Sequence, residues 1–279
     1  MTHRTLREIR TAHPSRDGDG VAIQRVAGMQ HGGMDPILMI DELRSEHRED
    51  FAGGFPPHPH RGMQTLTYMK SGGFLHEDSQ GNRGEIRGGG AQWMSAGRGI
   101  VHSEMPTQDS TGLHGFQIWI NLPAAEKMSD PLYRDVPAEQ LAHCRGEGVE
   151  ATAISGSWSM PGGDLEGPLD VLARRAAIMD LSLAPGAALE IAVPEAENLV
   201  GYVYDGSVAI QDRLVEARQL LVTSEGDRLA LRAGESGANL LLLRGEPLRE
   251  PVAHYGPFVM NTHEEIERTL RDYQTGQFP

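Results

Sequence analysis

Two short units in this 279-residue chain carry residue types at a spacing that suits a metal ion: His58-Pro59-His60 and His102-Ser103-Glu104. In a β-strand, residues i and i+2 point to the same face, about 6.6 Å apart. Each unit therefore offers two ligands to one side. If both strands line one interior, His58, His60, His102 and Glu104 converge on a single point. Imidazole nitrogens and carboxylate oxygens bind a transition metal at about 2.0–2.2 Å. This donor set accepts Fe, Ni, Mn, Co or Zn, and the absence of thiolate argues against a closed structural zinc site. Four protein ligands on an octahedral ion leave two positions open, which implies chemistry or exchangeable ligands.

The flanking residues fit strands. Pro59 lacks an amide donor and belongs at an edge or outward position, which leaves the inward pair undisturbed. Gly97 and Gly99 mark a bend before the strand that carries His102. Ten of the twelve histidines lie between His3 and His143, none lies between Cys144 and Ala253, and the last two are His254 and His263. A histidine-ligated metal therefore belongs to the first half. His31, His47, His76, His114 and His143 have no comparable pairing and read as surface or hydrogen-bonded residues. His76-Glu77-Asp78, beside the turn Gln80-Gly81-Asn82, reads as a solvated hairpin end. Trp93, Trp119 and Trp158 read as core.

The elements that must hold these ligands are short strands between turn signals. Leu66 and Tyr68 alternate with Thr65 and Thr67, and Phe116, Ile118 and Ile120 alternate with Gln117, Trp119 and Asn121. Period two predicts one buried face on each strand. Gly72-Gly73, Gln80-Gly81-Asn82 and Gly88-Gly89-Gly90 supply bends. From Asn121 to about Gln140 the chain turns polar and proline-bearing, which reads as a connection between domains. Strand-like segments then resume, with Asp205-Gly206 as a hairpin turn pair. Their spacing of roughly 8–12 residues fits a barrel or sandwich. Thr262 to Glu265 fits a capping box, followed by Ile266, Leu270 and Tyr273 at helical spacing, which predicts a helix over about 262–274.

Bulk properties exclude several function classes. The formal net charge is −14, which opposes binding to nucleic acid or an anionic membrane. Cys144 is the single cysteine, so no internal disulfide can form, and it reads as an ordinary thiol. Met1 to Gly20 lacks the apolar run of a signal peptide, and no 18-residue apolar segment predicts a membrane span. The expected location is the cytoplasm. There is no G-x-S-x-G and no P-loop signature.

The stretch from Phe55 to Pro106, with HPHRG, QWMSAGRGI and H-x-E-M-P, strongly resembles the core of pirins, members of the cupin superfamily. The tail from Gly245, with YGPFVMNT, is similar to the pirin C-terminal region. Together the two stretches cover about a third of the chain. The resemblance implies an all-β bicupin: two stacked β-barrels of the double-stranded β-helix or jelly-roll type, with a C-terminal helix. It places a metal-binding domain at 1–122, a linker at 123–145 and a metal-free cupin domain at 146–279, which includes the helix. By the family pattern the ligands are His58, His60, His102 and Glu104, around one divalent metal, Fe(II) first, with Ni, Mn, Co, Zn or Cu as alternatives. One departure is Gln64, where cupins and many pirins carry a glutamate. Gln cannot act as a base or an anionic ligand, so acid–base roles borrowed from other cupins are in doubt.

The resemblance implies two readings of function. One is a quercetin 2,3-dioxygenase-type oxidoreductase that opens flavonols with O2 and releases carbon monoxide, with Glu104 as ligand and proton acceptor. Its partners are a small aromatic substrate and O2, with no separate cofactor-binding residues. The other is a redox-sensing regulatory protein that binds a transcription factor or a metabolic enzyme. Neither needs nucleic acid or membrane contact, and a monomer is expected.

Overall fold

In the structure, a computed structural model, residues 1–29, 32–172 and 176–279 are described. His31 lies outside them. The described residues form strands β1 (Leu6–Thr11), β2 (His13–Asp17), β3 (Val21–Ala27), β4 (Ile37–Ser45), β5 (Phe55–His60), β6 (Met63–Ser71), β7 (Gly73–Asp78), β8 (Arg83–Arg87), β9 (Ala91–Ser95), β10 (Ile100–Pro106), β11 (Leu113–Asn121) and β12 (Leu132–Val136). There follow β13 (Ala142–Gly146), β14 (Val149–Ser155), β15 (Ser157–Met160), β16 (Gly163–Glu166), β17 (Ala177–Leu183), β18 (Ala188–Ala192), β19 (Asn198–Ile210), β20 (Arg213–Glu216), β21 (Gln219–Thr223) and β22 (Arg228–Gly245). Last come β23 (Ala253–Tyr255), β24 (Phe258–Met260) and one helix, α1 (His263–Gln274).

These elements form two compact units that interleave in sequence, where contiguous halves at 1–122 and 146–279 are predicted. One unit comprises Pro14–Arg25, Leu38–Ala138 and Leu248–Pro279, and the other Met1–His13, Val26–Ile37 and Glu139–Pro247. The reason is strand pairing across long sequence separations. β1 pairs antiparallel with β21, so the N-terminal strand belongs with the later half of the chain. α1 contacts β23 and β24, and all three belong with the earlier half. The predicted linker at 123–145 also holds structure: β12 pairs with β9, and β13 pairs with β14.

The first unit is built from a seven-stranded sheet, ordered β12-β9-β6-β11-β4-β3-β2, and a four-stranded sheet, ordered β5-β10-β7-β8. Val21, Ile23, Leu43 and Met69 from the larger sheet pack with Phe74 and Ile86 from the smaller one. The two sheets thus share one apolar interior, as layered β architectures require. Burial of β6 departs from the predicted single buried face, because Met63 to Met69 are buried throughout. The polar alternate positions are also inside: the hydroxyl of Thr67 meets Glu104. The alternate face of β6 thus also points inward, carrying Met69 to the apolar cluster and Thr67 to Glu104.

The other unit is one eleven-stranded sheet around a core that includes Leu181, Val203, Leu221, Leu231 and Leu240. Asp205-Gly206 is not its predicted hairpin turn. The pair lies within the 13-residue strand β19, at shifts of register against β22, with Gly206 at φ +69°. A bulge and a tight turn both call for positive φ, so the same residue pair serves either. The helix is as predicted: Thr262 caps α1, and the capping box with Glu265 is complete. Among the described residues no helix is long and apolar enough to cross a membrane.

Candidate metal centre

β5 is the edge strand of the four-stranded sheet, which tolerates Pro56, Pro57 and Pro59 without loss of ladder donors. It pairs with β10 so that His58 stands opposite His102 and His60 opposite Ile100. One extra residue in β5 shifts the register between His102 and Glu104, which faces Phe55. On its other edge β10 is regular, with His102 opposite Asp78 and Glu104 opposite His76 on β7.

This pairing brings three imidazoles together. The rings of His58 and His102 lie 4.3 Å apart, and His60 lies 4.9 Å from each. One ring nitrogen from each of His58, His60 and His102 falls within 4.8 Å of the others. It is the one such cluster among the described residues. The Glu104 carboxylate, the fourth predicted ligand, stands outside this group of three.

The donor set fits a metal ion on several grounds. Both ring nitrogens of His60 and Nε2 of His102 are buried without a hydrogen-bond partner. Buried polar atoms normally find a partner, and His60 and His102, two members of this cluster, each bring a buried ring nitrogen without one. His58 accounts for one nitrogen by donating from Nδ1 to the carbonyl of Pro56 at 2.9 Å, which leaves Nε2 free to bind. Burial lowers the pKa of His58, and burial with the neighbouring imidazoles holds His60 and His102 well below the ordinary histidine value. All three are therefore neutral ligands near pH 7. Glu104 is pushed up to about 7 by burial, against the lowering effect of the Thr67 hydroxyl 3.0 Å from its Oε1.

The sequence pattern of residues 20–120 matches the family Pirin, and that of residues 178–279 matches the Pirin C-terminal cupin domain. A Vibrio cholerae protein provisionally named as a quercetin 2,3-dioxygenase is 46% identical, with 99% of this chain and 98% of that protein covered. A pirin-like protein of Caulobacter vibrioides is 40% identical over the full length of both chains. The crystal structure of quercetin 2,3-dioxygenase from Acinetobacter baumannii superposes with a TM-score of 0.90 at 29% identity, covering 99% and 98% of the two chains.

The chain belongs to the pirin family.

Its fold is accordingly the two-cupin fold of pirins, all-β with one C-terminal helix, as predicted. Within it, two predicted roles change. His76 is not a solvated hairpin end: it is 1% exposed, packs its ring 5.1 Å from that of His102, and bonds Asp78. The clue in sequence was the H-x-D unit itself, which becomes informative once β7 is known to pair with β10. Trp119 is not plain core: its ring stands edge-on to His60 at 5.2 Å. Trp93 and Trp158 are core, as predicted. Gln64 lies on the face of β6 opposite Thr67, three positions away in a strand of period two. The glutamine thus lies on the face away from the one on which Thr67 meets Glu104. His3, His13 and His143 fall in the other unit, all exposed.

The pirin tail anchors the segment that follows His60. Arg61 is buried and donates to the Arg98 carbonyl, to Thr269 Oγ1 and to Asp272 Oδ2 of α1. Lys127 Nζ donates to the carbonyls of Gly62 and Val259 and to Asn121 Oδ1. Gly62 has φ +77°, and a Cβ there would lie 2.0 Å from the Val259 oxygen. Only glycine permits this approach of β24 to the end of β5.

Proposed function

We propose that this chain is an oxidoreductase of the metal-dependent dioxygenase class acting on flavonols such as quercetin, with one divalent metal ion, Fe(II) first, held by His58, His60, His102 and Glu104. The observation that carries the reading is the convergence of one ring nitrogen each from His58, His60 and His102, with buried nitrogens of His60 and His102 left without partners. Support comes from the relatives and the structural neighbour that carry the quercetin 2,3-dioxygenase name. A metal bound there supplies a Lewis acid and a redox-active centre for the reaction of an enolic aromatic substrate with O2.

The chain's own residues do the rest. Burial keeps the three imidazoles neutral, so their lone pairs are available without proton release. Glu104, raised to about 7, is about half ionised under neutral conditions, and its ionised form can take the proton of the flavonol 3-hydroxyl. Thr67 orients that carboxylate through Oε1. The edge-on indole of Trp119 gives the site an apolar wall suited to an aromatic ligand. His58 is the partly exposed member of the cluster, so approach is from its side. Both atoms of O2 enter the cleaved product and one ring carbon leaves as carbon monoxide.

The test is iron-loaded protein with quercetin, with and without O2. O2-dependent loss of the flavonol absorbance with release of carbon monoxide is expected, in proportion to metal content. Metal-loaded protein that leaves quercetin intact in air would refute the dioxygenase and leave the redox-sensing regulatory reading of the same site.

A further inference from the structure

Behind His102, on the side away from the three-histidine cluster, lies a second line of polar groups that the ligand set does not use. Nδ1 of His102 is 3.3 Å from Nδ1 of His76, and Nε2 of His76 is 3.2 Å from Oδ2 of Asp78. His76 and the Asp78 side chain are almost fully buried. Asp78 is itself held: Oδ1 accepts from the amides of Gln80 and Asn82, and Oδ2 accepts from Asn82 Nδ2. These donors mark Asp78 as a carboxylate, an acceptor at both oxygens.

The proton positions then follow by elimination. Facing a carboxylate, Nε2 of His76 must carry its hydrogen. In a neutral ring that leaves Nδ1 of His76 as an acceptor. Nδ1 of His102 must therefore be the donor, and Nε2 of His102 is left as a lone pair. That Nε2 is the buried, unpartnered atom.

We propose that Asp78 and His76 are positioning residues, a two-step relay that fixes His102 as its Nδ1–H tautomer and presents the Nε2 lone pair to the metal. The metal half of this statement rests on the function proposed above, whereas the tautomer half does not. Relays of one carboxylate or carbonyl behind a ligating histidine are general in metal sites, and His58 has one in the Pro56 carbonyl. For His102 an imidazole is interposed, because β7 brings Asp78 opposite His102 but His76 diagonal to it. The relay therefore reaches from the site to the turn at Ser79–Asn82.

Asp78→Asn is expected to reverse the tautomer of His102. The asparagine Oδ1 still accepts from Gln80 and Asn82, and Asn82 can turn its amide, so the turn is kept. Its Nδ2 now donates where a carboxylate accepted. His76 must answer with a bare Nε2 and a proton on Nδ1, which forces the proton of His102 onto Nε2, towards the cluster. One substitution about two side chains away thus reverses the tautomer of the ligand. His76→Gln, by contrast, can accept from His102 and donate to Asp78, and keeps the wild-type tautomer. His76→Leu ends the relay.

The experiment reads imidazole 15N–1H correlations in the metal-free, full-length protein, with His102 assigned by comparison with His102→Gln, and follows Co(II) binding by competition with a chelator. Wild-type His102 is expected as the Nδ1–H form and Asp78→Asn as the Nε2–H form. Co(II) affinity should fall about 10–100-fold in Asp78→Asn and His76→Leu, and stay close to wild type in His76→Gln. An Nε2–H tautomer of His102 in the wild type overturns the proposal without need of any variant. So does unchanged Co(II) affinity in Asp78→Asn when its tautomer has reversed. A wild-type protein with the Nδ1–H tautomer that binds no Co(II) refutes the metal reading and keeps the relay.

Discussion

Replacing Glu104 by glutamine is expected to move two properties in opposite directions. In the metal-free protein, burial raises the Glu104 pKa from 4.5 to about 7. The unfolded chain gives up this proton near the ordinary value, so between those two pH values the folded state binds more protons. Stability of the metal-free protein therefore falls as pH rises through this window. At about 1.4 kcal/mol per pKa unit, the full penalty is about 3 kcal/mol above pH 8. Glutamine has the same shape and no charge, so Glu104→Gln lifts the penalty and flattens the profile. At pH 5 the two proteins should differ little, and at pH 8 the variant should be the more stable. With a metal present the order reverses, because a neutral amide replaces an anionic ligand. Changes behind a ligand already cost about 10–100-fold in affinity, and loss of the ligand should cost at least as much. Chemical denaturation from pH 5 to pH 9, with chelator and then with Ni(II), measures both effects. A metal-free variant whose pH profile parallels the wild type would refute the buried-carboxylate argument, and unchanged Ni(II) affinity would refute the ligand role.

Further predictions rest on other residues. Ni(II) affinity of the wild type should be nearly flat above pH 8 and fall below about pH 7, where Glu104 takes up a proton that the metal must displace; isothermal titration in two buffers of different ionisation enthalpy checks this proton release. His60→Leu removes two buried ring nitrogens without partners, so the metal-free variant should gain about 1–2 kcal/mol in stability while losing tight metal binding; melting curves with and without metal separate the two. Lys127→Met leaves Gly62, Val259 and Asn121 with buried acceptors unpaired and should cost about 3–5 kcal/mol, read as a lower denaturation midpoint.

Legibility in the sequence followed the range of the physics involved. The two ligand pairs were readable because period two is a local rule, and His58-Pro59-His60 obeys it on an edge strand where proline is tolerated. The C-terminal helix was readable because a capping box is closed by residues three apart. What depended on strand register was hidden. His76 and Asp78 gain their role from the pairing of β7 with β10, and nothing within the H-x-D unit says what lies opposite it. The same holds for β12, whose polar, proline-flanked sequence reads as a connection until its pairing with β9 is known. The unit boundaries were hidden for the same reason, since β1 finds its partner β21 more than 200 residues later in the chain. Asp205-Gly206 reads as a turn but forms a bulge because positive φ is common to both. The burial of both faces of β6 is not legible because alternation reports polarity and not direction, and here the polar side faces a site.

The central claim is that His58, His60 and His102 together bind one metal ion, and titration of metal-free protein with Ni(II) tests it most directly. One ion per chain is expected, with tight binding abolished when any one of the three imidazoles is replaced by alanine while the fold is kept. A wild-type chain that takes up no ion, or single-alanine variants that bind as the wild type does, would contradict it.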